Sequence, residues 1–305
     1  MKKLLFICII LFFIVYSFFY PELMVNAAKN GIQIWFLQIL PALLPFTVLS
    51  SVLVKSNFLK SFQGNANLIA CVLTLVCGFV FGFPVGAKLS ADFYKQNILS
   101  EKQATILSIT TNNFSPMYVC GFAMPLLFSS PDYNQATYVL LYLIPLVLVS
   151  IYLMFHISKD HPLNISKRSE FHMDMQVMDF SIINGFEALI KICGYIVLFS
   201  IVTAFSMHTI SNIVTQPQMA TTLLLGNLEI TNGIKQLSTC NITLSIKYIV
   251  AIQLLSFGGL SGIAQTGSIL SDARLSIHKY IIGKAILSLL LTLLSVIYVF
   301  FSHLL

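Results

Sequence analysis

Six apolar segments are each long enough to cross the hydrocarbon core of a bilayer, and they leave this chain few other ways to fold. They cover residues 4–20, 32–54, 104–128, 135–157, 182–208 and 280–303. A helix needs roughly 20 apolar residues to cross about 30 Å of hydrocarbon. Only 9% of the 305 residues are charged, which is too few to cover a soluble globule of this size. We therefore expect an all-α, polytopic membrane protein with the lipid bilayer as its solvent.

The same composition argues against several other classes of protein. The net charge is +6, but the basic residues are scattered over short loops, which disfavours a nucleic-acid partner. The six cysteines show no metal-ligand spacing, so we expect small buried hydrophobic residues. No Ser/His/Asp set, HExxH, P-loop or GxGxxG pattern is present. We therefore expect no enzyme, no cofactor and no metal site.

The first apolar segment allows two interpretations. Two lysines, an apolar stretch and "VNA" resemble a secretory signal peptide. The stretch 4–20 is, however, longer than the roughly 7–15 apolar residues of such a signal. We favour an uncleaved first membrane helix.

Four polar or glycine-rich stretches interrupt the apolar sequence. They are "GFPVGAK" (82–88), "TTNNFSP" (110–116), "LEITNG" (228–233) and "FGGLSGIAQTGS" (257–268). An unpaired backbone group in hydrocarbon costs several kcal/mol, so irregular backbone persists there only beside protein or a water-filled cavity. One such break is most simply a packing kink. Four breaks in a repeated arrangement favour a solute site, because paired broken elements typically mark the centre of a membrane carrier.

A shift of 147 residues brings the two halves of the sequence into register. It places Gly86 on Gly233, Asn112 on Gly259, and the span 135–157 on the last span. Each half then holds a span, a re-entrant hairpin, a broken crossing and a final span. If each hairpin enters and leaves on one side, each half crosses three times, and the halves have inverted topology.

This repeat defines the predicted organisation of the chain. The predicted units are an N-terminal transmembrane helix and connection (1–30), a first repeat (31–157, hairpin near 82–88, broken helix near 110–116), a cytoplasmic linker (158–181) and a second repeat (182–305, hairpin near 228–233, broken helix near 257–268).

The placement of lysine and arginine predicts the orientation in the membrane. With Lys2 and Lys3 in the cytoplasm, only Lys29, Lys235 and Lys247 are clearly outside. The basic residues then assigned to the cytoplasmic side are Lys55, Lys60, Lys95, Lys102, Lys159, Lys167, Arg168, Arg274, Lys279 and Lys284. This excess follows the positive-inside rule, so we expect a cytoplasmic N-terminus.

Polar residues at the breaks are the predicted solute-binding residues, because half-helix ends present free backbone groups to a polar solute. They are Lys88, Asn112, Asn113, Ser115, Glu229, Thr231, Asn232, Ser261 and Gln265. The residues predicted to permit the breaks are Gly82, Pro84, Gly86, Pro116, Gly233, Gly258, Gly259 and Gly262. Two alternatives stay open: Lys88 could extend to the interface and pair with Asp92, and Glu229 could simply lie at a helix end.

Several stretches resemble one family. "LPALLPF" and "GFPVGAK" are the most specific, and "LEITNG" and "FGGLSGIAQTGSILSD" extend the likeness over most of the chain. They are similar to the YlbJ-type sporulation integral membrane proteins, within the wider nucleoside-recognition (Gate) superfamily. The resemblance implies the cytoplasmic membrane of an endospore-forming bacterium and a role in spore formation at the cortex stage. The Gate label implies a solute-translocating core without naming the solute. The chain is shorter than typical members, and its central loop is brief.

Two functions follow as expectations. The first is a carrier for a small polar solute, whose charge partners for the solute or a coupling ion would be Lys88 and Glu229. The second is a non-transporting membrane scaffold for spore cortex assembly, in which the breaks are packing features. The expected partners are the bilayer and an unidentified polar solute, with or without a coupling ion. A homo-oligomer is an open alternative.

Overall fold

The computed structural model describes residues 2–129, 132–156, 171–211 and 219–302, and every regular element in these ranges is helical. The helices are α1 (Lys2–Phe19), α2 (Pro21–Ile34), α3 (Leu40–Lys55), α4 (Ala66–Phe81), α5 (Val85–Lys95), α6 (Glu101–Thr111), α7 (116–127), α8 (132–156), α9 (Met175–Ser211), α10 (Met219–Leu228), α11 (Ile230–Thr239), α12 (Leu244–Phe257), α13 (Gly259–Asp272) and α14 (Ile277–Ser302). The predicted all-α class is confirmed. Most of the predicted cytoplasmic linker, 158–170, lies outside the described residues.

Four helical segments in the described ranges are long and apolar enough to cross a membrane. They are Gln135–Phe155, Met175–Ile210, Leu244–Asp272 and Ile277–Ser302. The three predicted spans that run through α8, α9 and α14 are therefore confirmed as continuous apolar helices. A fifth candidate is the pair formed by α1 and α2, which meet at 104°. The predicted span 32–54 is less regular, because a π-helical turn, Trp35–Ile39, joins α2 to α3.

The last helix, α14, shows how an apolar sequence is divided between lipid and protein. One face is exposed, and its large side chains recur every three or four residues: Ile282, Ile286, Leu289, Leu293, Ile297 and Phe300. The opposite face is buried and includes Tyr280, Lys284, Leu287, Leu291 and Ser295. This spacing follows the 3.6-residue helical period, with the apolar stripe turned outward because lipid replaces water there.

Both interrupted regions form tight helical hairpins. The turn between α4 and α5 contains Gly82, whose φ is 71°. Helices α10 and α11 have 10 residues each, about 15 Å at 1.5 Å per residue, so neither can cross the bilayer alone. A Cβ on Gly233 would overlap the backbone of Gly226, so the α10 and α11 arms touch through glycine. Gly86 is similarly confined, since a Cβ there would lie 2.8 Å from the Thr111 carbonyl oxygen.

Each hairpin tip lies against the break of its own half. In the first half, Phe83 N–H donates to the Asn113 carbonyl oxygen at 2.6 Å. In the second half, a Cβ on Gly259 would lie 3.3 Å from the Gly226 carbonyl oxygen. The helix order after α3 and after α9 is thus the same: a hairpin, a broken helix and a long final helix. Inverted topology and the number of crossings stay predictions.

The two halves are joined by long helix–helix contacts. Helix α9 packs along α2 and α3, and the Trp35 indole N–H donates to the Leu189 carbonyl oxygen at 2.8 Å. Helix α14 packs against α12 and α6, while α13 packs against α5. These contacts place both breaks in the interior, next to one another.

Candidate functional site

The first break separates α6 from α7 and is built as the sequence predicts. Helix α6 ends at Thr111, and Pro116 occupies the first turn of the next helix. The Ser115 hydroxyl caps that helix by accepting the Tyr118 backbone N–H at 3.3 Å. Proline suits a first helical turn because its missing N–H would have no partner there anyway. The carboxyl end of α6 therefore lies inside the protein, with carbonyl groups that have no hydrogen-bond partner within the helix.

A lysine from the last helix binds at the carboxyl end of α6. Lys284 is 1% exposed, and its ammonium donates to the Asn112 carbonyl oxygen at 2.9 Å and to Asn113 Oδ1 at 2.7 Å. Lys284, which the charge count assigned to the cytoplasmic side, is therefore a buried residue of the first break; its membrane side stays a prediction. Its position on the buried face of α14 overrides the tendency of a lysine to reach water, because carbonyl oxygens at a helix end stabilise a cation.

The two asparagines at this break are held in fixed orientations. Asn112 Nδ2 donates to Thr266 Oγ1 and to the Tyr280 hydroxyl, both at 2.9 Å. Asn113 Nδ2 donates to the Thr110 carbonyl oxygen at 2.8 Å and the Leu141 carbonyl oxygen at 3.3 Å. Asn112 Oδ1 is buried without a hydrogen-bond partner. The first break is thus tied to α13 and α14, both of the second half.

The second break lies between α12 and α13 and contacts the first. Gly258 and Gly259 have φ of 86° and 70°, a left-handed backbone that suits glycine. A Cβ on Gly258 would lie 4.0 Å from the ring of Phe114, a residue of the first break. About two turns further along α13, Gln265 Nε2 donates to Ser261 Oγ at 3.0 Å, and Gln265 Oε1 is buried without a hydrogen-bond partner. Gly262 has no such backbone requirement, since a Cβ there would meet only the Phe83 ring, at 4.0 Å.

A polar cavity of about 130 Å³ opens beside the second break, between α5, α9 and α13. Its lining includes two predicted site residues, Lys88 and Gln265, together with Lys95, Asp92, Glu187, Lys191, Ser268 and Asp272. Lys88 pairs with Asp92 at 2.9 Å and is 7% exposed. It therefore makes the predicted ion pair and also contributes to a cavity wall.

Glu229, predicted as a charge partner for the solute or a coupling ion, instead caps a helix. Its carboxylate accepts the backbone N–H groups of Thr231 and Asn232, both at 2.9 Å, and so caps α11. Thr231 Oγ1 also accepts the Tyr118 hydroxyl at 3.4 Å. The alternative, a glutamate at a helix end, describes this arrangement. Glu229, Thr231 and Asn232 form the tip of the second hairpin and do not line the cavity.

Sequence reasoning missed Lys284, Thr266 and Tyr280 at the first break. The signal was present in α14, where Tyr280, Lys284, Ser288 and Ser295 recur at helical spacing on one face of an apolar span. It also missed the α9 and α13 charges of the cavity, Glu187, Lys191 and Asp272. Within the described ranges, no group of three or more His, Cys, Asp and Glu side chains could hold a metal ion.

Comparisons with known proteins address the family. No family model matches the chain. The sporulation integral membrane protein YlbJ of Bacillus subtilis (strain 168) is 24% identical in an alignment that covers 87% of this chain and 75% of that protein. No solved structure matches. The nucleoside-recognition (Gate) assignment stays a prediction. The match agrees with the resemblance that the motifs indicated: over most of its length, this chain is similar to a sporulation integral membrane protein of the YlbJ type.

Proposed function

We propose that this protein is a carrier that moves a small polar solute across the cytoplasmic membrane of a spore-forming bacterium, at the cortex stage of spore formation. The similarity to a sporulation integral membrane protein supports the setting. The observation that carries the proposal is the polar cavity. Helix α13 forms one of its walls, begins at the second break and contacts the first break. Gln265 lines the cavity, and its neighbour Thr266 accepts the hydrogen bond from Asn112 at the first break.

The charge pattern supports an opening toward the cytoplasm. Lys95 lies at the end of α5, which the positive-inside rule assigns to the cytoplasmic side. Asp272 ends α13, just before the basic residues Arg274 and Lys279. The α9 residues of the cavity, from 184 to 195, follow the predicted cytoplasmic linker by a few turns. Three segments assigned to the same side thus meet at one cavity.

The first break supplies a candidate for coupling. Carboxyl ends of half-helices and unwound carbonyl groups bind coupling cations in many carriers, because the helix dipole is negative there. In this protein the ammonium of Lys284 occupies that position. Because Lys284 belongs to α14, its ammonium would hold the carboxyl end of α6 against α14 in one conformation. If the two hydrogen bonds of the ammonium were lost, the end of α6 would be free to move.

Blocking the cavity distinguishes a carrier from a scaffold. Ser268 lines the cavity and is half-buried, so Ser268→Phe would fill part of the cavity. Leu260→Phe, on the exposed face of the same helix, is the matched control. We expect both variants to accumulate normally in a spore-former lacking its own copy, and only the cavity variant to lose spore maturation. Normal spores with Ser268→Phe would instead favour the scaffold.

A further inference from the structure

We propose that the first break is a binding site for one monovalent cation, and that the protein fills this site itself with the ammonium of Lys284. The site lies at the carboxyl end of α6, inside the protein, and none of its residues lines the cavity between α5, α9 and α13. The inference goes beyond the carrier proposal, because such a site would be present in a scaffold as well.

The ligands of this site are oxygen atoms of two adjacent residues. The Asn112 carbonyl oxygen and Asn113 Oδ1 accept hydrogen bonds from Lys284 Nζ at 2.9 and 2.7 Å. Asn112 is 3% exposed, and its side-chain oxygen is buried without a hydrogen-bond partner. Carbonyl and amide oxygens are the ligands that hard cations prefer, and the negative end of a helix dipole attracts the same charge. The break thus presents a set of oxygens suited to a cation.

The charge of the surroundings indicates a monovalent cation rather than a divalent one. Lys284 is 1% exposed, and none of the ion pairs among the described residues includes it. Its ligands are neutral amide groups, so the end of the helix, with roughly half an elementary charge, compensates only part of the buried charge. A divalent ion would be compensated still less, because desolvation is costly for each charge and this set contains no carboxylate.

The helix before the second break is stabilised near its end without a cation. The hydroxyl groups of Ser256 and Ser288 bond each other at 2.8 Å, and both lie within 3.3 Å of the Gln253 carbonyl oxygen of α12. Ser288 follows Lys284 by one turn of α14, so the same helix supplies a charge to one helix end and a hydroxyl to the other. The charge is therefore a specific feature of the first break.

A metal cation cannot join the ammonium at these oxygens. Two positive charges that share the same ligands repel each other strongly where the local dielectric constant is low. The first break should therefore bind neither Na⁺ nor K⁺ while Lys284 is in place. Removal of the ammonium should turn the same oxygens into a site that an added cation can occupy.

The test compares Lys284→Ala with its matched control, Lys284→Met. Alanine removes three methylene groups and the ammonium, a fragment that corresponds to propylammonium, whereas methionine fills the space without a charge. The purified full-length variants are unfolded thermally in detergent micelles at constant ionic strength. The probes are propylammonium, uncharged propanol, Na⁺ and K⁺, with N-methylglucammonium as the reference cation.

We expect propylammonium to raise the unfolding midpoint of Lys284→Ala by at least about 2 °C and to saturate, because a ligand that binds only the native state stabilises it. Na⁺ or K⁺ should have a smaller effect, since either ion fills less of the space. Propanol should not raise the midpoint, and no probe should raise that of Lys284→Met.

The inference is overturned if no cation stabilises Lys284→Ala, if propanol acts as well as propylammonium, or if Lys284→Met responds equally. Stabilisation of the parent chain by Na⁺ or K⁺ that Asn113→Ala abolishes would also overturn it, because a metal would then share these oxygens with the ammonium. If Lys284→Ala does not fold unaided, its accumulation in the membrane is compared with and without propylamine in the growth medium, and absence from both contradicts the site. The Ser268→Phe experiment decides the carrier function separately.

Discussion

The coupling between Lys284 and Asn113 is the sharpest test of how the first break is held, and the first substitution that it needs is Lys284→Met. Methionine keeps a similar length and removes the ammonium, so two hydrogen bonds are lost, to the Asn112 carbonyl oxygen and to Asn113 Oδ1. The Asn113 amide cannot simply turn its oxygen away, because its nitrogen is held by two main-chain carbonyl groups. Both acceptors are then left buried without a donor.

The magnitude of the single substitution is the difference of two large terms. Each orphaned acceptor costs about 1–3 kcal/mol. The substitution also removes the cost of burying a charge, which is several kcal/mol and acts in the opposite direction. The net change in the free energy of unfolding caused by Lys284→Met is therefore a weak test. The coupling energy between Lys284 and Asn113 is the better quantity, because effects that belong to one substitution alone, such as the cost of burying the charge, cancel in a double-mutant cycle.

We expect this coupling energy to be about 1.5–3 kcal/mol, the usual contribution of a hydrogen bond to a charged group. Neutral pairs inside membrane proteins average about 0.6 kcal/mol, so a charged interaction is distinguishable. The variants are Lys284→Met, Asn113→Ala and the double variant. Unfolding of the purified protein by SDS in mixed micelles can be followed by Trp35, since the sequence has one tryptophan and its ring contacts α9.

A matched cycle pairs Lys284→Met with Thr292→Ala. Thr292 lies two turns along the same helix, and its hydroxyl donates to the Ser288 carbonyl oxygen. This pair should couple by less than about 0.5 kcal/mol. If the Lys284–Asn113 cycle gives a value as small as the control, the ammonium does not hold the end of α6. The coupling role proposed for Lys284 would then have no support.

Two further predictions address topology and the hairpins. Lys95→Cys should react with a membrane-impermeant maleimide in inside-out vesicles and stay unlabelled in intact cells. The parent protein serves as the blank. Labelling of intact cells would contradict a cytoplasmic cavity and N-terminus. Gly233→Ala should destabilise the protein by about 3 kcal/mol or more, because its Cβ would lie 3.0 Å from the Gly226 backbone nitrogen, whereas Gly194→Ala on α9 meets open space and should be neutral or slightly stabilising. Equal unfolding midpoints for the two glycine variants would disprove the close approach of α10 and α11.

The hairpins and breaks could be predicted from sequence because they use residues with local structural preferences. Pro116 and Ser115 determine the start of α7 by themselves, and Gly258 adopts a backbone conformation that few other residues tolerate. The long spans were predictable for a related reason, since apolar length is a property of consecutive residues. Neither signal requires knowledge of which helices touch.

The charged residues were harder to place because their environment depends on distant helices. Lys284 looks like a basic residue near a helix end when the sequence is read linearly, and only the packing of α14 against α6 buries it. Glu229 looks like a costly charge in an apolar segment until α11 begins immediately after it and supplies two N–H groups. In both cases a backbone terminus, rather than an opposite charge, compensates the ionised group. The positive-inside rule counts charges and does not include such compensation.

The contacts between the two breaks bear on how a carrier of this shape could move. Asn112 bonds to Thr266 of α13, and Phe114 lies against Gly258, so neither break can change without disturbing the other. Helix α13 is also a wall of the cavity, and its Gln265 lies beside Thr266. A solute that reorients Gln265 would therefore act on the residue that positions Asn112, and through its carbonyl group on Lys284. Through these contacts, solute binding in the cavity would change how firmly Lys284 holds the end of α6. Coupling between a solute and an ion requires such a link between two sites.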